Sequence, residues 1–261
     1  MKKDGNRYSR LLEEIFTRNH KSGMDKVPFQ REELEEAAKR LRVKLPKNIG
    51  DVIYSFRYRV ALPESIRKSA PEGLEWVIRS VGKAKYEFSL ASTARINANP
   101  LLAEIKIPDA TPGIISQYSL RDEQGLLAKL RYNRLLDIFS GVVCYSLQSH
   151  LRTTVPDMGQ VETDKQGAQY IFPVQAKGGN DQIGIVQIEQ DFALCASKFP
   201  QLICRPIAAQ FMENDLIALF SFSADGQEVA ILDEKHYRLV DSGQMTEEDI
   251  SRYRHEAIRT S

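Results

Sequence analysis

Two strand-like segments separated by a short connection lie in the second half of the chain. They run from Gln160 to Asp164 and from Tyr170 to Lys177, with Lys165-Gln166-Gly167 between them. Segments of this length that contain β-branched and aromatic residues are typical of strands, and a glycine in the connection suits a tight turn. The sequence therefore predicts a β-hairpin, whose geometry decides which side chains share a face.

Polar side chains fall on one face of each predicted strand. Because side chains alternate between the faces of a strand, Glu162 and Asp164 share a face, and so do Gln175 and Lys177. If the two polar faces coincide, one point in space is surrounded by two carboxylates, an amide oxygen and an ammonium group. Carboxylate and carbonyl oxygens are the ligands that Mg²⁺ prefers, and a lysine can orient or deprotonate a water or stabilise phosphate charge. The hairpin thus predicts a site for phosphodiester hydrolysis.

The pattern resembles the PD-(D/E)xK nuclease superfamily, and more diffusely the type II restriction-endonuclease-like proteins. That superfamily has an acidic residue near the end of one strand and (Asp/Glu/Gln)-x-Lys on the next. The resemblance implies that Asp164 is a metal-ligating aspartate, that Gln175 occupies the second acidic position and that Lys177 is the catalytic lysine. Gln175 departs from the usual Glu or Asp, and a neutral ligand binds Mg²⁺ less tightly. Glu162 would restore the missing charge, so the expected metal ligands are Asp164, Gln175 and Glu162.

The resemblance also implies a restriction-endonuclease-like α/β (α+β) core with the order helix, three strands, helix, strand. The elements around the hairpin are compatible with this order. A glutamine on the second helix faces the active site in several members, which makes Gln187 a further catalytic candidate; the alternative is a solvent-facing polar residue. The predicted elements are a long helix in Asp122–His150, a helix in Ile183–Lys198, and strands in Leu202–Phe211, Leu216–Phe222 and Glu228–Leu232.

Other residues of the chain are alternative candidates for the same chemistry. Pro156-Asp157 is a literal "PD" pair and is the alternative first acid, although it precedes the predicted strand. His150 and His236 are candidate general bases, but neither has an evident partner in the sequence. A phosphate-binding loop of the Walker A type and a GxSxG nucleophile motif are both missing, which argues against a P-loop NTPase and a serine hydrolase.

The front of the chain differs in charge from the back. Residues 1–90 contain 20 Lys and Arg against 13 Asp and Glu, whereas the remainder contains 16 against 22. This asymmetry is typical of a polyanion-binding part joined to a metal-binding part, although a solvated lysine-rich surface explains it equally well. Helical patterns and a later strand pair predict a helical, winged-helix-like module. The predicted elements are Tyr8–Asn19, Arg31–Arg42, Asp51–Arg59 (helix or strand), Glu75–Val81 and Lys85–Leu90, with a break at Pro28.

A proline-punctuated linker in Asn97–Pro112 predicts the boundary between a DNA-recognition module, residues 1–96, and a nuclease core, residues 97–261. Cations interleaved with aromatic residues predict the DNA contacts of the first part. Arginine reads base edges and holds phosphates, whereas the alternative is that the aromatics are core and the cations cover a helix. The candidates are Lys44, Lys47, Arg57 and Arg59.

The expected function is that of a Mg²⁺-dependent DNA endonuclease, a type II restriction enzyme that acts on double-stranded DNA as a homodimer. The alternatives are a structure-specific repair or phage-defence nuclease and a catalytically inactive DNA-binding protein. The charged start Met1-Lys2-Lys3-Asp4, the strand-sized apolar runs and three cysteines without a CxxC pair predict a cytoplasmic protein with reduced thiols and no membrane association.

Overall fold

The computed structural model describes residues 7–118, 122–149, 158–178, 181–225 and 228–260. The chain is a mixed α/β protein and divides into two compact units. The first unit comprises residues 1–96 together with Gly184–Gln187, and the second comprises residues 97–183 and 188–261. Each unit encloses a hydrophobic core of its own. The mixed α/β class predicted from the sequence is thus confirmed.

The first unit begins with four helices and one strand and continues with a strand pair. Helix α1 is amphipathic and buries Leu11, Leu12, Ile15 and Phe16, because these residues recur at the spacing of one helical face. Strands β1, β3 and β2 form an antiparallel sheet in that order. The elements are α1 (Ser9–Asn19), β1 (Lys26–Gln30), α2 (Arg31–Leu41), α3 (Gly50–Tyr58), α4 (Glu64–Lys68), β2 (Glu75–Gly82), β3 (Lys85–Ala91) and β4 (Arg95–Ile96).

Strand β1 is a correction to the sequence-based prediction, in which Pro28 marks a break in the chain. Pro28 pairs with Glu87 within the β1–β3 register. Proline is tolerated at a sheet edge, where its missing N–H does not interrupt a central ladder, and β1 is an edge strand. The alternating burial of β1, with Val27 and Phe29 in the core, is the signal that identifies the strand.

The second unit contains a large mixed sheet with helices before and between its strands. Residues Gly184–Gln187, at the start of α8, belong to the first unit. The elements are β5 (Glu104–Pro108), α5 (Gly113–Tyr118), α6 (Glu123–Tyr132), α7 (Leu135–Ser140), β6 (Tyr145–Ser149), β7 (Met158–Thr163), β8 (Gln169–Lys177), β9 (Ile183–Gly184), α8 (Ile185–Lys198), β10 (Ile203–Cys204), β11 (Ile207–Phe211), β12 (Leu216–Asp225), β13 (Glu228–Val240) and α9 (Glu247–Thr260).

The strand order of the large sheet is β5-β13-β12-β11-β8-β7-β6, and β10 pairs with β8. Strands β6, β7 and β8 are successive antiparallel neighbours, whereas β11 runs parallel to β8 and follows α8 in the chain. Helices α6 and α7 cover one face of this sheet, because their leucines share a core with Phe172, Val174 and Ala176 of β8. Alternation places Gln175 on the opposite face.

Three predicted elements of this unit are wrong in part. The expected linker contains β5, which pairs in parallel with β13. The expected long helix ends at Tyr132 and resumes at Leu135, since Arg134 has a left-handed backbone, and Gly141 ends α7 before β6 begins. The expected strand Leu202–Phe211 is two strands, β10 and β11, separated by Arg205-Pro206.

Within the described ranges, every helix is too short or too polar to cross a bilayer. Cys144, Cys195 and Cys204 are not joined by disulfide bonds, and Cys195 is buried.

Candidate active site

Asp164 closes the turn of the β7–β8 hairpin. Its Oδ1 accepts hydrogen bonds from the backbone N–H groups of Gln166 and Ala168, both at 2.9 Å. Its Oδ2 accepts from the hydroxyl of Tyr170 at 3.1 Å. An aspartate that binds backbone N–H groups two to four residues ahead is a common turn-forming residue. Both carboxylate oxygens of Asp164 are therefore engaged in holding the turn.

The electrostatics of Asp164 fit this role. Desolvation raises the pKa of the carboxyl group, but the hydrogen bonds from Ala168, Tyr170 and Gln166 outweigh it and leave the pKa below its usual value. The same contact raises the pKa of Tyr170, because the Asp164 carboxylate accepts its proton in the hydrogen bond. The ionised carboxylate is thus stabilised by the hairpin itself.

The hairpin register separates Asp164 from the two polar residues of β8. Thr163, which precedes Asp164, pairs with Gln169 at the start of β8. Gln175 lies six residues further along, about 20 Å at the rise of a β-strand. The expected coincidence of Asp164 with Gln175 and Lys177 is therefore wrong, because a hairpin turn brings together the end of one strand and the start of the next.

The remaining candidate residues lie partly or wholly outside the described residues. The backbone of Glu162 lies in β7 opposite Tyr170, also near the turn, and its side chain lies outside the described residues. Pro156-Asp157 and His150 are outside the described residues as well. Strand β7 begins at Met158, one residue after Asp157, and Met158 pairs with Val174 of β8. The start of β7 is therefore at the Gln175 end of β8.

Gln175 is buried and is held by a carboxylate of α8. Its Nε2 lies 3.1 Å from Oδ1 and 3.0 Å from Oδ2 of Asp191, and both residues are only 1% exposed. The amide oxygen Oε1 has no hydrogen-bond partner among the described residues. Buried polar atoms in folded proteins almost always have one, so an acceptor oxygen in this state marks a place where a donor or a cation belongs.

Lys177 is the last residue of β8 and forms an ion pair with helix α6. Its Nζ lies 2.8 Å from Oε1 of Glu123, and the lysine side chain is largely buried. Glu123 is the first residue of α6, and Asp122 fixes this helix start by accepting a hydrogen bond from the N–H of Gly125 at 2.8 Å. The structure thus brings Lys177, at the end of β8, together with a residue of α6, the helix that covers the sheet face opposite to Gln175.

Gln187 has a local structural contact. Its Oε1 accepts a hydrogen bond from the N–H of Gly184 at 3.3 Å, and the residue is 3% exposed. Both residues belong to the first unit. Gln187 therefore satisfies a backbone donor at the start of α8, and the expected solvent-facing alternative is wrong because the side chain is buried.

The donor set at the end of β8 fits the type of ligand that Mg²⁺ takes. Gln175 Oε1 is a hard oxygen donor, and the carboxylate of Glu123, a second one, is connected to it through Lys177, two residues further along β8. Among the described residues, no group of three or more His, Cys, Asp or Glu side chains is placed to hold a metal ion. Mg²⁺ is commonly bound by only one or two carboxylates and completes its shell with waters and substrate phosphates. The residues present therefore fit this ion.

The cations predicted to contact DNA fall into two groups. Lys44, Lys47 and Arg59 are exposed. Arg57 is half-buried, donates from Nε to the carbonyl of Ile78 at 3.2 Å, and stacks over the ring of Tyr58. Arg57 therefore stabilises the packing of α3 on β2.

The first unit exposes an aromatic side chain beside one of these cations and two further lysines elsewhere. Tyr54 is 40% exposed with Arg59 over its ring. The turn between β2 and β3 adds Lys83 and Lys85, both exposed, which the sequence analysis did not assign to DNA binding. Two lysines in a short strand–strand turn are the signal that would have found them.

His236, which the sequence left without a partner, has one in the structure. Its Nε2 lies 2.8 Å from Oε1 of Glu234 on the same strand, and the imidazole is buried. Oε1 of Glu234 also accepts a hydrogen bond from the N–H of Asn99 at 2.7 Å. The group ties β13 to the segment that precedes β5.

Glu123 and Asp191 are the two residues of the candidate site that the sequence analysis missed. They lie 54 and 16 positions away from their partners Lys177 and Gln175. The acidic character of each was visible, but nothing in the local pattern connects either of them to the hairpin. Comparisons of the chain with protein-family models, with curated proteins and with solved structures found no match.

Proposed function

We propose that the second unit is a Mg²⁺-dependent DNA endonuclease whose active site lies at the Lys177 end of β8. The observation that carries this proposal is the state of Gln175. Its amide oxygen is a buried acceptor without a partner among the described residues, two residues before a lysine that is paired with Glu123. Oxygen donors beside a lysine are the groups that phosphodiester hydrolysis needs.

The arrangement of elements around β8 supports the same proposal. Helices α6 and α7 precede three antiparallel strands, and α8 then leads to β11, which is parallel to β8. With the two-residue strands β9 and β10 set aside, this order is compatible with the helix, three strands, helix, strand that the sequence resemblance implies. It supports the assignment of Gln175 and Lys177 of β8 to the positions of the (D/E)xK motif.

Gln175 Oε1 is the group proposed to hold the metal, with the Glu123 carboxylate as a nearby negative charge paired with Lys177. When bound, Mg²⁺ would lower the pKa of a water molecule and neutralise charge on the phosphate. Gln175 contributes a neutral ligand, so Glu123 supplies negative charge to the site. A further acid is expected from the chain before Met158, because the start of β7 pairs with the Gln175 end of β8.

Lys177 is proposed to act on the scissile phosphate and the attacking water. In the absence of DNA its ammonium group donates a hydrogen bond to Glu123. A phosphate oxygen can take the place of this carboxylate oxygen, since both accept hydrogen bonds from an ammonium group. Lys177 then stabilises the negative charge that develops on the phosphate as the bond to the leaving oxygen breaks.

The first unit is proposed to bind double-stranded DNA as a winged-helix-like module. Its order of three helices interleaved with β1, followed by α4 and the β2–β3 pair, and its sheet order β1-β3-β2 support this assignment. In such a module the third helix enters the major groove and the strand–strand turn contacts the backbone. Here these elements carry Arg59 after α3 and Lys83 and Lys85 in the turn, all exposed.

Restriction of DNA is the biological setting that we propose, with a homodimer as the active species. A two-fold symmetric dimer matches a palindromic site and places one active site on each strand. A repair or phage-defence nuclease would use the same residues on a different DNA structure. A DNA-binding protein without cleavage would keep the first unit and lack metal binding in the second.

Incubation of the full chain with unmethylated phage DNA in Mg²⁺ or EDTA tests the proposal. Discrete fragments that form only with Mg²⁺ are the expected result. Preferential cleavage of branched or single-stranded DNA would move the assignment to a structure-specific nuclease. Duplex binding without cleavage of any substrate would overturn the enzymatic proposal in favour of a DNA-binding protein.

A further inference from the structure

The orientation of the Gln175 amide is fixed by Asp191. An ionised carboxylate can only accept hydrogen bonds, so the group that faces it must be the amide nitrogen. Nε2 lies at 3.1 and 3.0 Å from the two carboxylate oxygens, so one of its N–H groups is shared between them in a three-centre hydrogen bond. The oxygen Oε1 must then point away from Asp191. In the absence of such a contact, the nitrogen and oxygen of a glutamine can exchange places by rotation of the amide.

The contact with Asp191 also changes the chemistry of the oxygen. A hydrogen bond from an amide nitrogen to a charged acceptor is stronger than one between neutral groups, and hydrogen bonds in series polarise one another. Polarisation of the amide moves negative charge from the nitrogen side to Oε1. Because both residues are only 1% exposed, water screens this effect weakly. Gln175 therefore presents a more negative oxygen than a free glutamine does.

We propose that Asp191 is a positioning residue that turns Gln175 into an oxygen ligand for the divalent cation. The carboxylate of α8 and the amide of β8 together take the role of the acidic residue that Gln175 replaces. Asp191 acts through the amide and supplies the negative charge one hydrogen bond behind the ligand. This inference rests on the proposed function, since it requires a cation at the end of β8.

Exchange of the amide and the carboxylate between positions 175 and 191 provides a specific test. Asp191→Asn removes the charge and allows both orientations of the Gln175 amide. Residues that orient metal ligands typically change metal affinity by about 10-fold to 100-fold when they are altered. Gln175→Glu sets two buried carboxylates against each other and destabilises the contact. The double variant Gln175→Glu/Asp191→Asn restores one amide and one carboxylate in exchanged positions.

Mn²⁺ affinity, measured by isothermal titration calorimetry on the full chain, is the readout, and thermal unfolding without metal monitors the fold. We expect Asp191→Asn to bind Mn²⁺ about 10-fold to 100-fold more weakly than the wild type. The double variant should bind more tightly than Asp191→Asn does. Asp249→Asn is the matched control, because it removes another nearly buried carboxylate that pairs with Lys106.

The outcomes separate the inference from the proposed function. If wild-type protein binds no Mn²⁺, both are overturned. If the wild type binds Mn²⁺ and folded Asp191→Asn binds it equally well, the inference alone fails. A double variant that folds but binds no better than Asp191→Asn also overturns it, since exchange of the groups would then restore nothing. If Asp249→Asn weakens Mn²⁺ binding as much as Asp191→Asn does, the effect is general destabilisation and the inference fails.

Discussion

The two ends of strand β8 carry similar polar groups in opposite states. At the turn end, both oxygens of Asp164 accept hydrogen bonds from the turn and from Tyr170. At the far end, Gln175 has its nitrogen bound to Asp191 and its oxygen without a partner among the described residues. A carboxylate whose oxygens are both engaged stabilises the hairpin, whereas an unpartnered buried oxygen is available to a ligand.

This difference shows that the residue type alone does not identify a site. Aspartate is the better metal ligand in isolation, yet the hydrogen bonds of the turn compete for Asp164. Glutamine is the weaker ligand, yet the packing of α8 against β8 orients it. The state of each oxygen, and not its formal charge, distinguishes the two ends.

Substitution of the lysine at each end should give the largest contrast. We expect Lys177→Ala to lower the rate of Mg²⁺-dependent cleavage by about 10²-fold to 10⁴-fold, because it removes the group that acts on the phosphate. Lys165→Ala, in the turn, is the matched control and should cleave as the wild type does. Single-turnover cleavage rates measure both. Equal cleavage rates for Lys177→Ala and Lys165→Ala would contradict the assignment of the active site to the Lys177 end of β8.

Substitution of the two aspartates that flank β7 should give the next largest contrast. Asp157 directly precedes Met158, which pairs with Val174, whereas Asp164 follows the other end of β7. We expect Asp157→Asn to slow cleavage by about 100-fold, equivalent to about 2.7 kcal/mol of lost charge stabilisation. Asp164→Asn should stay close to the wild-type rate. If Asp164→Asn slowed cleavage more than Asp157→Asn does, the acidic residue of the active site would be Asp164, at the turn.

Asp164 should instead affect stability and its dependence on pH. Its pKa in the folded chain is lowered, so the stabilisation is present above the unfolded pKa and is lost as pH falls through the folded value. We expect Asp164→Ala to lower the midpoint of thermal unfolding at pH 7 by a few degrees. The difference from the wild type should shrink below about pH 4. A difference that is constant from pH 7 to pH 3 would contradict the role of the ionised carboxylate.

The smallest effects are expected from single cations of the first unit, which test the DNA-binding assignment away from β8. Each phosphate contact removed should reduce the slope of log affinity against log salt by about 0.9. Lys47→Ala and Arg59→Ala should each show this change, whereas Lys68→Ala, whose ammonium is paired with Glu64 on α4, should not. Fluorescence anisotropy with duplex DNA at several salt concentrations measures the slope. Unchanged slopes for both variants would place the DNA contacts elsewhere.

The sequence predicted the hairpin and most strand positions, because these follow from local alternation and turn residues. It did not predict the end of β8 at which a site would form. Asp164 precedes Lys-Gln-Gly, a pattern that also indicates a turn-capping aspartate, and strand pairing was needed to choose between the two roles. Glu123 and Asp191 come from helices whose packing no local pattern specifies.

Paramagnetic broadening by Mn²⁺ tests most directly whether a cation binds at the Gln175 end of β8. Backbone amide signals of wild-type protein are followed by NMR as Mn²⁺ is added, with Mg²⁺ as the diamagnetic reference. Since the two ends of β8 lie about 20 Å apart, the steep distance dependence of the broadening separates them. We predict loss of the signals of residues 174–178 and of Glu123, while those of residues 164–168 remain. Broadening centred on the turn, or none at either end, would contradict the assignment.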